Sequence, residues 1–254
     1  MLNRKFGKKP PRRDRRTLKL ENYIEPNIAP PASADWLSGV NTWPMMGNDV
    51  VGDCTYAGAG HLIESWSAYE SGKTIIVSDE EILKAYKATS GWNGILNDRT
   101  DTGCNLLDVL NYWHNVGVGD HKITAYTRVK PRNVKCVKLG IWMFGGLYTG
   151  VALPDVVNGV NITEASSWIG SPTQDPKTLP NPDNGHCVPI VYYDDKVLKV
   201  ISWGMVMEMS WPFFMAYCDE AYAILAPDWT ITDGKSPSGF LSEALMADLK
   251  IVTG

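Results

Sequence analysis

The sequence has no run of about 18 apolar residues, so a membrane-spanning helix is not expected. Cysteine is sparse: Cys54, Cys104, Cys136, Cys187 and Cys218, an odd number at scattered spacing and without a Cys-x-x-Cys. That argues against a disulfide scaffold and a zinc knuckle. There is no Gly-x-x-x-x-Gly-Lys, and Gly58, Gly60, Gly145 and Gly146 do not make a phosphate loop, so no nucleotide site is read. Internal repeats are missing. The first 20 residues lack the apolar stretch of a secretory signal, so reduced thiols in a cytoplasmic setting are the expectation. Nothing calls for a metal or a cofactor.

What remains is a chain of 254 residues, 44% hydrophobic, with 10 Trp and 11 Tyr. That is enough for one large domain or two small lobes with a core. Charge is unevenly spread. Residues 1–20, "MLNRKFGKKPPRRDRRTLKL", hold nine Lys/Arg and a single Asp, and the rest of the chain is strongly acidic. Pro10 and Pro11 keep this arm extended. It reads either as a solvated tail or as an arm for something acidic: nucleic acid, or the acidic body of another subunit. Leu2, Phe6, Leu18 and Leu20 are its apolar anchors. The Pro- and Ala-rich "ENYIEPNIAPPASA" at 21–34 is a linker, which makes 1–34 an arm, 35–230 the folded domain and 231–254 a tail or helix.

Within the domain, helices come first. Residues 54–70 carry apolar positions at helical spacing. Residues 78–91 open on Ser78 with Glu81 in capping-box position and stop at Gly91. Residues 104–116 place Leu106, Leu107, Leu110 and Trp113 on one face. The glycine-bearing window 139–154 fits a buried core helix, although 133–146 also reads as a short helix followed by a strand. Strands follow: 122–129, a hairpin over 186–204 turning at Asp194–Asp195, and 220–229. Residues 153–184 read as a long surface excursion, and Leu241, Leu245 and Leu249 stripe a last helix. The class is α+β, a helical lobe over about 54–118 followed by a β-rich, barrel-like lobe over about 119–230.

Cys54 stands where a glycine-rich turn meets a helix. Free N–H groups and the positive dipole end favour a thiolate there. A histidine is the partner to seek. His61 is two turns further along the same helix, too far to reach the sulfur. His114 and His121 read as solvated. His186 opens the apolar strand "CVPIVYY", where an imidazole can face a cleft.

Three stretches together resemble the papain-like cysteine peptidases. "DWLSGVNTWPMMGNDVVGDCTYAGAG" at 35–60 is similar to their mature start, with an amide residue, Asn48, six positions before the cysteine. "TGCNLLDVLNYWHNVGV" at 102–118 resembles their Gly-Cys-Asn-Gly-Gly segment and its helix. "NGHCVPIVYYDDKVLKVISWG" resembles their histidine strand, turn and Asn-Ser-Trp-Gly ending. The resemblance implies a two-lobed fold, a Cys54 nucleophile, a His186 base, an oxyanion hole from the Cys54 N–H and the Asn48 amide, a Trp203 wall and an extended peptide or protein substrate. It also implies an asparagine where this chain has Ile201, which cannot orient a histidine. Ser202 is expected on the other face of its strand.

Two functions follow. One is a cysteine peptidase or amide hydrolase with a weakened third triad member. The alternative is a catalytically silent papain-like structural protein, such as a phage virion component, assembling through its basic arm.

Overall fold

The computed structural model describes residues 5–159, 167–229 and 240–253. Leu2 and residues 231–239 of the expected C-terminal segment lie outside them. Two hydrophobic cores divide the described chain. One gathers the first three helices, the other the larger part of the sheet.

Strand β1 (Ala34–Asp35) precedes helix α1 (Cys54–Ser71), whose residues 54–68 are all buried. Burial on every face requires small residues where backbones meet. A Cβ at Gly60 would fall 2.5 Å from the Met46 sulfur, and one at Gly58 would sit 3.2 Å from the Cys187 sulfur. Helix α2 (Asp79–Ser90) begins as its sequence demands, Ser78 Oγ accepting from the Glu81 N–H, and ends at Gly91 in the left-handed region. Helix α3 (Leu106–Asn115) starts two residues later than its pattern suggests, because Asn105 caps it and leaves Cys104 outside. Leu106, Leu107, Leu110 and Trp113 are buried as expected.

Strand β2 (Ala125–Val129) is followed by α4 (Val134–Phe144) and β3 (Leu147–Ala152). The window 139–154 is therefore not one helix. Gly145 and Gly146 take φ of 66° and 136°, which breaks the helix and turns the chain into the sheet. The excursion after β3 contributes β4 (Ser167–Trp168). The hairpin is β5 (Gly185–Tyr193) and β6 (Val197–Ser202), with Asp194 Oδ1 accepting from the Lys196 and Val197 N–H groups at its turn. Then come β7 (Met205–Ser210), α5 (Trp211–Tyr217), β8 (Cys218–Leu225) and α6 (Ser242–Thr253). Leu245 of α6 is buried, whereas Leu241, just before the helix, is exposed.

The strand order is β2-β8-β3-β5-β6-β7-β4, with β1 on β5, and every pairing is antiparallel except β4 with β7. No helix of the described residues is long and apolar enough to cross a membrane.

The basic arm lies along its own chain. Lys9 N–H donates to Cys104 O, Asn105 Nδ2 to Pro10 O, and Arg12 pairs with Asp108 at 2.6 Å. Further on, Arg128 N–H donates to Leu18 O, and Leu20 is fully buried in the sheet-side core.

Candidate active site

Cys54 is the first residue of α1 and is 1% exposed. Its surroundings are the backbone of Cys187 on β5, the carboxyl of Asp53 and the arm at Gly7. Burial pushes the thiol up to about 12, and Asp53 adds to the rise. The backbone groups of Cys187 and Gly7 and the Lys8 charge only partly oppose it. The helix end favours a thiolate, but desolvation outweighs it. Asp53 is itself driven upward by complete burial, with the Asn48 side chain partly offsetting this.

His186 is the second residue of β5, next to Cys187, and is 1% exposed. Its Nε2 lies 2.7 Å from Ser202 Oγ. Ser202 therefore does what the sequence pattern denied it. Ile190 of β5 is directly opposite Val200 of β6, so even-numbered residues 186–190 share a face with Val200 and Ser202. Ile201 turns to the other face and joins the helical-lobe core. The position that looked vacant is a core residue, and the hydroxyl beside it meets the imidazole.

Trp203 stacks on the imidazole, 4.2 Å between centroids and 14° between planes. It occupies φ 47° and Gly204 φ 71°, in a two-residue turn closed by the Ser202–Met205 pair. Left-handed backbone at a bulky residue costs about 1–3 kcal/mol and persists where packing over-determines it. Trp168, from the excursion, and Phe6, from the arm, approach the same ring edge-on at 6.3 and 5.8 Å. Neither was singled out for the site by the sequence pattern.

Asn48 is buried, and its Nδ2 donates to Val51 O at 3.2 Å and Lys5 O at 3.4 Å. The amide thus faces the arm. The arm itself runs as an extended strand between the lobes: Gly7 and Lys8 N–H donate to Gly185 O, while Cys104 N–H donates to Gly7 O. The slot admits no side chain at Gly7, where a Cβ would collide with Gly52 O.

The other histidines are held elsewhere. His61 Nε2 is 2.8 Å from Pro44 O, and burial lowers it to about 4. His114 and His121 are not simply solvated: one meets Ile123 O and the other the Asp228 carboxylate, each at 3.0 Å.

An α-helix opened by a cysteine, packed on an antiparallel sheet that presents a histidine, is a papain-like fold, and solved structures of that fold superpose on most of the chain. Xylellain, a cysteine protease from Xylella fastidiosa, is 18% identical, with TM-score 0.67 over 89% of this chain and 98% of its own. A Carica candamarcensis cysteine protease in complex with E-64 is 14% identical, with TM-score 0.52 over 77% of this chain and 98% of its own. The cysteine protease and lectin-like domains of Cwp84, a surface layer associated protein of Clostridium difficile, are 12% identical, with TM-score 0.56 over 82% of this chain and 54% of theirs. No protein-family model matches the sequence, and no curated protein matches it significantly.

Proposed function

We propose that the protein is a papain-like cysteine peptidase, held latent by its own N-terminal arm. The observation that carries this reading is the 2.7 Å contact between His186 Nε2 and Ser202 Oγ. An imidazole oriented through one nitrogen can use the other on a thiol. Cys54 is the nucleophile and His186 takes its proton, then returns it to the leaving amine. Ser202 and Trp203 position the imidazole. The Cys54 N–H and the Asn48 amide supply the oxyanion donors once Asn48 is released from Lys5 O. The arm occupies the path that an extended peptide would take.

The test is peptide cleavage by the full chain and by Gly7→Ala, which disfavours arm docking, each with and without Cys54→Ala. Cleavage that rises in Gly7→Ala and vanishes with Cys54→Ala supports the reading. A Gly7→Ala chain that opens, by faster amide exchange, yet cleaves nothing favours the catalytically silent alternative.

A further inference from the structure

The start of the arm is engaged in the cleft. Lys8 is 4% exposed, with Nζ 2.8 Å from Asp219 Oδ2 and 3.5 Å from Glu220 Oε1. A bulge in β8 brings these neighbours together, Gly150 lying opposite Glu220 but Val151 opposite Cys218. Beyond Pro10 the basic side chains face water instead: Arg12, Arg13, Arg15, Arg16 and Lys19 are all exposed. The acids in reach are already engaged. Asp14 accepts from the Arg16 N–H, Nε and Nη2 at 2.9, 3.1 and 2.7 Å, around a turn in which Thr17 N–H donates to Asp14 O. Asp108 pairs with Arg12. Arg13, Arg15 and Lys19 have no ion pair among the described residues.

The body continues the charge. Lys19 pairs with Arg128, whose N–H donates to Leu18 O, so the arm closes the outer edge of β2 and of the sheet. Arg128 shares its face of β2 with Tyr126, which lines one surface cavity together with Arg12, Asp14 and Arg16. Past the end of β2, Lys130 is exposed. Neither Arg128 nor Lys130 has an ion pair among the described residues. Docking of the arm thus joins two basic stretches far apart in sequence into one ridge.

The rest of the chain is strongly acidic, so a polyanion is repelled elsewhere and confined to this ridge. Arginine dominates it, and a guanidinium fork matches two phosphate oxygens at once. No large apolar side chain is exposed in residues 9–19 or 124–132, which leaves nothing to enter a lipid surface. A row of cations suits a linear polymer of charge better than the compact acidic face of another protein. We infer that the ridge binds the phosphodiester backbone of a nucleic acid without reading its bases, the arm and the edge of β2 making the site together. The inference owes nothing to the peptidase reading.

Fluorescence anisotropy of a labelled DNA duplex of about 20 base pairs, added to the full chain, tests it. With Arg13, Arg15, Lys19, Arg128 and Lys130 each neutralising a phosphate, log affinity is expected to fall with log salt at a slope of about −4 to −5, alike for duplexes of unrelated sequence. Arg13→Gln/Arg15→Gln and, separately, Arg128→Gln/Lys130→Gln should each weaken binding by about 10-fold or more at about 50 mM salt and reduce the slope by about 2. Thermal melts check that both variants stay folded. Absence of binding at about 50 mM salt overturns the inference, and so does a loss confined to the arm variant, which would mean a loose basic tail. Poly-glutamate and phosphatidylserine vesicles are the competitors: displacement of the duplex by either at matched charge would assign the ridge to an acidic protein or to a membrane and overturn the choice of nucleic acid.

Discussion

His186 and Ser202 share one face of neighbouring strands, with Nε2 and Oγ 2.7 Å apart beneath a stacked Trp203. The hydroxyl stands where an orienting amide was expected. A single short side chain meets the imidazole at Nε2. Ser202→Ala is expected to lower kcat by about 10-fold or more, since positioned acid–base catalysis contributes about 10²–10⁴-fold. Ser202→Thr, which keeps the hydroxyl, is expected to retain more. Equal losses in both variants would mean that packing rather than the hydrogen bond matters.

Gly7→Ala tests the slot. The new methyl would strike Gly52 O, so the arm must lift. Amide exchange at Lys8 and Lys9, whose N–H groups bond to Gly185 O and Cys104 O, is expected to speed up. Cys54 should react with iodoacetamide at least about 10-fold faster, because opening restores water around a thiol that burial holds near 12. Unchanged exchange and labelling in this variant would show that the arm does not gate the sulfur.

Acid should loosen the same contact. Burial raises Glu220 to about 6, with Lys8 pulling it down and Asp219 pushing it up. Because Lys8 lowers this value, the docked arm favours the ionised carboxylate. That contribution is complete above the arm-free value and fades as pH falls through about 6. Exchange at Lys8 is therefore expected to increase between pH 7.5 and 5, after correction for intrinsic rates. In Glu220→Gln this additional pH response should shrink; its full persistence would assign it to another group.

Glu64 offers a stability test away from the site. It is fully buried in α1, neither carboxyl oxygen has a hydrogen bond, and burial raises it to about 8. A carboxyl raised on folding stabilises below its unfolded value and loses that advantage as pH rises through the folded one. Glu64→Gln should thus gain on the wild type by about 1–3 kcal/mol at pH 9 and by less at pH 5. Thermal melts at both pH values measure this, and a gain independent of pH would point to packing instead.

The local signals were readable. Ser78 and Gly91 bound a helix because caps and stops act through neighbouring backbone, and Cys54 opens the helix that its glycine-rich approach announced. The order of helices before most strands carried the class. Ser202 was misread because strand parity depends on which residue faces which across two strands, and that register is set by tertiary pairing. Asp219 and Glu220 were invisible as a pair, since only a bulge brings adjacent strand residues together. Trp168 lay in a stretch without periodicity. The arm is not a solvated tail, which its charge, being local information, allowed, whereas the fit of Gly7 against Gly52 joins residues far apart in sequence.

Because Lys8 and the cleft belong to one molecule, occupancy of the cleft does not depend on how much protein is present. A tethered segment acts at an effective concentration on the order of millimolar when its connection is short and flexible. Dilution leaves closure unchanged, and on the proposed reading a free peptide competes with that local concentration for access to Cys54. On the peptidase reading, peptides that bind weakly are turned away while those that bind tightly displace the arm, so the tether sets a threshold for affinity as well as a cover for the thiol.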